Sequence, residues 1–352
     1  MSKINLKAVD FFCSIGGMTY GFKKSGIDVI AGIDIDPSCK ETYEFNNPNS
    51  KFIAADIKEY SYPQLIKDTK IKRNDDNLIF IGCSPCQYWS IMNTDKTKSS
   101  ATKNLLSEFQ RFVEYFKPGY VVVENVPGII RKASKSKLDH FIKSLRDSYY
   151  SLAFGILNAN NYEVPQNRRR FVLIASRISK NICLPLGKQD SAPVVKDFIG
   201  VANGFKKITA GYNDESNFLH KTANLSELNL KRIRLTPHNG GSRLIWKNIK
   251  ELQLKCYINK DDSFNDIYGR MSWDKPAPTI TTKFHSISNG RFGHPEEDRA
   301  LSLREGATLQ TFPKTYDFKD KNIGKVAKHI GNAVPPNLAY HIAKQILRCN
   351  GK

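Results

Sequence analysis

The stretch KAVDFFCSIGG, residues 7–17, decides how this chain is read. Its first half is an apolar run with valine and paired phenylalanines, the composition of a buried strand. Gly16 and Gly17 then permit a tight turn and a close approach of backbone to a ligand. A helical segment follows, so strand, turn and helix stand in order. The glycines are not spaced G-x-G-x-x-G, so a dinucleotide fingerprint is absent.

Working outward, the alternation repeats. Apolar runs stand at DVIAGID (28–34), KFIAAD (51–56), NLIFIG (77–82), YVVVEN (120–125) and RFVLIAS (170–176), with helical segments between them, such as Pro37 to Asn46 and Lys103 to Phe116. Asp36-Pro37 reads as an N-cap followed by proline at the first helical position. Continuous apolar strands separated by helices predict an α/β fold with a mostly parallel, doubly covered sheet. Such sheets bind ligands beyond the carboxyl ends of their strands. Phe12-Cys13-Ser14, Asp34, Asp56, Cys83 to Cys86 and Glu124-Asn125 all fall there. Asp34 is placed to accept from ribose hydroxyls and Asp56 from an adenine amino group, so a nucleoside-type ligand is expected.

From Leu184 to Phe284 the alternation stops. This stretch is rich in Asn, Gly, Lys and Pro and carries 16 basic and 10 acidic residues. Helices then return: Ser302-Leu-Arg-Glu305 has capping-box spacing, and Pro335-Pro336 opens a last helix with Leu338, Ile342 and Ile346 on one face. The expectation is a large domain of residues 1–183 plus 286–352, with a smaller, irregular β-rich domain of residues 184–285 inserted.

The chain of 352 residues carries 54 Lys+Arg against 34 Asp+Glu, a formal charge of +20. That balance favours a polyanionic partner, nucleic acid first. Seven cysteines without framework spacing argue against a disulfide scaffold and for a reducing cytoplasm. No secretion signal is read at the N-terminus, and no apolar run reaches the roughly 20 residues that span a bilayer.

One motif carries chemistry. GCSPCQYWS (82–90) follows an apolar strand and holds a C-x-x-C pair. A redox pair normally opens a helix, whereas YWSIMNTDKTKSS (88–100) reads as a loop. A structural zinc site needs two more matched ligands, and the remaining cysteines are scattered singly. The reading left is one nucleophile, Cys86, with Cys83 as a small core neighbour and no metal.

At this point the sequence resembles the DNA (cytosine-5)-methyltransferases over nearly its whole length. The residues carrying the resemblance are DFFCSIGG (10–17), GCSPCQYWS (82–90), VVENVPGI (122–129), VPQNRRRFVLIAS (164–176), WDKPAPTITTKF (273–284), REGATLQTFP (304–313) and GNAVPPNLA (331–339). Each is short, but seven in the family's order are specific. The resemblance implies a Rossmann-like catalytic domain that binds S-adenosylmethionine, and makes residues 184–285 a target-recognition domain.

Cytosine C5 is a poor nucleophile; a thiolate bonding to C6 pushes electron density onto it. The thiolate must form near neutral pH, and the charge developing on N3 and O2 must be relieved. By resemblance Cys86 is the nucleophile and Glu124 serves N3. Arg168 and Arg170 match the arginines that steady the catalytic loop and the cytosine O2, with Arg170 preferred for O2. The family's cofactor positions fall on Phe12, Ser14, Gly16, Gly17, Asp34, Ile35, Asp56, Ile57, Pro85, Leu105, Asn332 and Val334. Ile35 departs from the family, where an aromatic residue often stacks on the adenine.

A cytosine within a duplex hides C5 and C6, so the nucleotide must swing out. The loop 88–100 is expected to cover it, with Gln87, Ser90 and Gln166 as DNA contacts. Segment KRIRLTPHNGGSRLIWK (231–247) suits phosphate and groove contact, with Arg232, Arg234 and Arg243 as its candidates. His238 reads as a surface loop residue. The resemblance thus implies a sequence-specific modification enzyme of a bacterial restriction-modification system. Double-stranded DNA is its expected substrate and a restriction endonuclease with the same site its counterpart; a cytoplasmic monomer without membrane contact is expected. Two alternatives stay open: an RNA cytosine-5 methyltransferase of the transfer-RNA type, and a non-catalytic nucleic-acid-binding relative.

Overall fold

The computed structural model describes residues 5–84, 104–131, 137–188, 192–254, 256, 258 and 264–350. By compactness the chain divides into two units: residues 1–158, 169–187 and 334–352 form the first, and residues 159–168 and 188–333 the second.

The first unit is built on a seven-stranded sheet in the order β3-β2-β1-β4-β5-β7-β6. Its strands are β1 (Lys7–Phe11), β2 (Asp28–Asp34), β3 (Lys51–Ala54), β4 (Leu78–Gly82), β5 (Tyr120–Asn125), β6 (Ser151–Asn158) and β7 (Arg169–Ser176). The first five pair in parallel; β7 runs antiparallel to both β5 and β6. The six strands expected from sequence are present, on an α/β sheet as expected. The seventh, β6, is an edge strand whose residues are mostly half-exposed, so no continuous apolar run announces it.

Helices α1 (Gly17–Ser25), α2 (Lys40–Asn46), α3 (Tyr62–Thr69), α4 (Leu105–Phe116) and α5 (Leu138–Asp147) connect these strands. Asp36 caps the 3-10 turn Pro37–Cys39 by accepting from the Ser38 amide, as the Asp-Pro pair predicts. A ring cluster fills the core on one face: Phe11 lies 5.0 Å from Phe80 and 5.3 Å from Phe109, edge to face. The last helix of the unit is α9 (Pro336–Asn350), whose Leu338, Ile342 and Ile346 are fully buried. It lies against α1 so closely that a β-carbon on Gly21 would stand 2.4 Å from the Pro336 carbonyl oxygen. Only glycine fits there.

Strand order leaves β1 in two directions, to β2 on one side and β4 on the other. The loops after β1 and β4 diverge at that reversal and open a crevice beyond the strand ends, where this architecture places its ligand.

The second unit holds α6 (Glu227–Leu235), α7 (Leu303–Leu309) and α8 (Ile323–Asn332), with short 3-10 turns. It has its own core, around Ile233, Trp246, Leu252, Tyr268 and Ile287. Two expectations need revising here. Residues 286–333 group with 188–285, leaving only 334–352 of the C-terminal segment with the sheet. Irregular describes this unit better than β-rich: among the described residues its pairing amounts to three isolated bridges. Its chain is rich in Gly, Asn and Pro, and buried arginines satisfy many of its carbonyls in place of a ladder. Arg270 alone donates to the carbonyls of Thr236, Ile233, His294 and Glu297. Ser302 and Glu305 form the expected capping box at the start of α7.

Candidate active site

After β1 the chain turns sharply. Phe12, Ser14 and Gly16 all have positive φ, at 64°, 46° and 87°. The amides of Phe12 and Cys13 donate to the Ile33 carbonyl at 2.8 and 3.1 Å. The Ser14 amide donates to Asp34 Oδ2 at 2.8 Å, while Oδ1 accepts from the Asp36 amide at 2.9 Å. Asp34 therefore ties the end of β2 to the turn after β1. Beside it opens a cavity of about 230 Å³, lined by Phe11, Phe12, Ile33, Asp34, Ile35, Ala55, Asp56, Ile57, Lys58 and Leu105. Small-molecule pockets usually start near 300 Å³, so this one suits a nucleoside portion of a larger ligand.

Six of the expected cofactor residues thus share one cavity. Ile35 stands at its rim with 66% of its surface exposed. Asp56 accepts from the Lys58 amide at 3.0 Å, and Arg111 braces the segment by donating to the carbonyls of Ile57 and Tyr60. Gly17 opens α1, Val334 is buried just before α9, and Asn332 ends α8 in the second unit. Lys58, Ile33 and Ala55 also line the cavity; they flank Asp34, Asp56 and Ile57 in sequence and carry no chemical signature of their own. Another residue missed by sequence is Asp10. It is fully buried, takes a 2.7 Å hydrogen bond from Thr19 Oγ1, and is pushed up to about 7, chiefly by burial.

Pro85, Cys86, Gln87 and Ser90 lie outside the described residues. What precedes them is well placed. The Cys83 amide donates to the Phe11 carbonyl, and burial together with the carboxylates of Glu124 and Asp10 pushes the Cys83 thiol up, away from nucleophilic use. Asn125 Nδ2 donates to Ser84 at both the carbonyl (3.1 Å) and the hydroxyl (3.2 Å), fixing the chain one residue before the undescribed segment. Glu124, at the end of β5, is 7% exposed, and Arg170 Nε lies 3.0 Å from its Oε1. A buried carboxylate with a guanidinium beside it stands at the strand end next to Cys83.

Arg168 and Gln166 do different work from Arg170. Arg168, 2% exposed, donates to the carbonyls of Ile280 (2.9 Å), Gly331 and Ala333 (both 3.0 Å). Gln166 is fully buried: its oxygen accepts from the Ile280 amide, and its nitrogen donates to the Leu309 carbonyl and Gln310 Oε1. This network binds four segments of the second unit. The Gln166 side chain is consumed inside the protein, which argues against the expected DNA contact.

The expected DNA arginines divide likewise. Arg232 is buried, donates to Leu252, Asn229 and Gln253, and lies over the rings of Trp246 and Tyr268. Arg243 is buried too, with Nε directed at the Phe264 carbonyl. Arg234 is the exposed one: its side chain is 60% accessible and its partner Asp298 lies 3.9 Å away. His294, Glu297 and Glu305 gather as metal ligands might be gathered, yet the Arg299 guanidinium already bridges the two carboxylates at 2.7–3.0 Å. That cluster is an ion-paired core.

Comparison with known proteins identifies the family. The family model for C-5 cytosine-specific DNA methylases matches residues 6–348. The chain belongs to that family. Among curated relatives, the type II methylase M.HgiDII of Herpetosiphon aurantiacus is 38% identical over 97% of this chain and 94% of its own. The type II methyltransferase M1.HphI of Haemophilus parahaemolyticus is 29% identical over 99% of this chain and 88% of its own. Among solved structures, the Dnmt2 methyltransferase of Schizosaccharomyces pombe superposes with a TM-score of 0.62 at 17% identity, covering 98% of this chain and 99% of that one. At that identity the likeness concerns the fold, which is the methyltransferase α/β fold. Among the described residues no helix is long and apolar enough to cross a membrane.

Proposed function

We propose that this C-5 cytosine methylase acts on a specific sequence in double-stranded DNA, through a transient bond between Cys86 and C6 of a flipped-out cytosine. The single observation that carries the proposal is the Glu124–Arg170 pair, on the strand beside the one that leads into Cys83: Gly82 pairs with Val123, one residue before each. A buried carboxyl held by one guanidinium can donate to or protonate N3, while the same guanidinium neutralises charge growing on O2. Asn125, by holding Ser84, fixes the chain immediately before the segment that carries Cys86.

The cavity fits S-adenosylmethionine by its own chemistry: the Phe12 ring, apolar side chains of Ile33, Ile57 and Leu105, and the carboxylates of Asp34 and Asp56 all line it. Phe12, Asp34, Ile35, Asp56, Ile57 and Leu105 would hold the nucleoside, and Ser14, Gly16 and Gly17 the methionine end. When bound, that cofactor supplies an electrophilic methyl group. The protein's own residues position the cytosine, keep the Cys86 thiolate available, and place the N3 proton on Glu124. Extruding the base costs a few kcal/mol, offset by protein contacts. Relatives named as type II methylases support a modification role beside a restriction endonuclease of the same site. We assign the enzyme to the bacterial cytoplasm as a monomer.

The test is transfer of tritiated methyl groups to duplex DNA and to transfer RNA, with bisulfite sequencing of the DNA product. Methylation of cytosine at one recurring duplex sequence is expected. Transfer to RNA alone, or none to either, would overturn the proposal.

A further inference from the structure

The segment Thr236–Gly241, TPHNGG, is a surface loop braced far beyond the needs of a connector. Asn239 and Gly240 adopt positive φ, 53° and 102°. A β-carbon on Gly241 would stand 2.1 Å from the Pro237 carbonyl oxygen, so the bend demands glycine. Two arginines hold the backbone from beneath. Arg270, fully buried, donates Nε to the Thr236 carbonyl at 2.9 Å and its amide to the Gly241 carbonyl at 3.0 Å. Arg291 Nη1 donates to the carbonyls of Gly240 and Gly241 at 2.8 and 3.1 Å.

The Asn239 side chain is spent inside the loop as well. Its Oδ1 accepts from Ser272 Oγ and the Trp273 amide at 2.9 and 2.7 Å, and the Asn239 backbone N–H donates to the Pro295 carbonyl at 2.8 Å. His238 is different. It is exposed at the tip, and among the described residues its imidazole makes no hydrogen bond. A strained, over-determined turn that presents one polar ring to solvent is a device for holding that ring in place.

Charge separates two uses of such a tip. Phosphate contact wants surplus positive charge, and the surroundings offer little. Asp274 is paired with Lys196 at 2.7 Å, Glu296 with Lys207 at 2.8 Å, Asp266 with Arg291 at 2.9 Å, and Asp298 with Arg270. These carboxylates match Lys196, Lys207, Arg291 and Arg270, and leave Arg234, 3.9 Å from the shared Asp298, as the loosely paired cation before the loop. A near-neutral surface with a rigid donor-acceptor ring suits a groove, where base edges are read by placed hydrogen bonds.

We infer that Thr236–Gly241 is a sequence-reading loop of this methylase and that His238 contacts a base edge through its imidazole. This rests on the DNA-methylating reading above. Arg270, Arg291 and Asn239 are then positioning residues for His238.

The experiment first obtains the target sequence of the wild type by bisulfite sequencing. It then compares wild type, His238→Ala and His238→Gln on the cognate duplex and on duplexes carrying each single base-pair change. S-adenosylmethionine affinity and thermal unfolding serve as controls. The expected result is a roughly tenfold fall in kcat/KM on the cognate duplex, with discrimination narrowed at one base pair only and both controls unchanged. The glutamine variant, which keeps a donor and an acceptor, should retain more discrimination than alanine. An equal fall on every duplex would mean phosphate contact, and no change would mean no contact; either overturns the inference. Loss of the controls in alanine together with an equal fall on every duplex in glutamine overturns it too. A wild type that methylates no duplex cytosine would instead sink the underlying reading.

Discussion

Arg170 Nε and Glu124 Oε1 stand 3.0 Å apart at the ends of β7 and β5, which are neighbours in the sheet. Both stand on paired backbone: β5 and β7 are paired through Asn125 and Phe171, one residue beyond Glu124 and one beyond Arg170. The pair is therefore set by sheet register, and it makes one acid-base unit from two distant parts of the sequence. Glu124→Gln should lower methyl transfer by roughly 10²–10⁴-fold with cofactor affinity preserved, as single-turnover kinetics and equilibrium binding would show. A variant within tenfold of wild type would remove Glu124 from the chemistry.

The two cysteines of GCSPCQYWS should separate cleanly. Cys86→Ser is expected to abolish methylation and the covalent adduct with 5-fluorocytosine DNA, and to leave DNA binding largely intact. Cys83→Ala, at a thiol that burial and two carboxylates keep protonated, should retain both. Electrophoresis of trapped adducts decides it; an adduct formed by Cys86→Ser contradicts the assignment.

Arg232 and Arg234 are two residues apart and should behave oppositely. Arg234→Ala is expected to weaken DNA binding on all sequences and to reduce the slope of log affinity against log salt by about one. Arg232→Ala should instead lower stability by several kcal/mol, because it empties a buried site and strands the carbonyls of Leu252 and Gln253. Salt titrations and urea unfolding distinguish the two.

Asp10 should make stability depend on pH. Burial pushes its folded pKa up to about 7 from the ordinary 3.8, so between those values the folded state holds a proton that the unfolded chain has released. The stability it confers is present below about pH 4 and is lost as pH rises toward 7. Asp10→Asn removes this term, so the variant should gain on the wild type by a few kcal/mol between pH 4 and pH 7. Parallel pH dependences in the two proteins would show that Asp10 is ionised throughout.

Gly21→Ala tests the seating of α9 on α1. The added methyl would meet the Pro336 carbonyl oxygen and the Ala339 β-carbon at 2.4 and 2.5 Å, forcing the helices apart at a cost of about 1–3 kcal/mol. Since α1 begins at Gly17, cofactor affinity should fall with stability. Unchanged unfolding would mean that the two helices separate without strain.

Much of this was legible in the amino-acid order. Parallel strands covered on both faces must be apolar throughout, so β1 to β5 and β7 appear as unbroken runs, and the candidate site residues Phe12, Asp34, Asp56 and Glu124 sit where they stop. Ser302 and Glu305 announce a helix start because a capping box is local. What stayed hidden was non-local. β6 is an edge strand with little burial to mark it, and the grouping of 286–333 with the second unit depends on contacts made far along the chain. Among Arg168, Arg170, Arg232, Arg234 and Arg243 the residue type is the same, and only packing decides that three feed buried carbonyls, one meets Glu124 and one faces solvent. Order along the chain specifies which groups are available and where strands end. Burial and partners belong to the folded whole, because a guanidinium is spent on whatever acceptors tertiary packing brings within 3 Å.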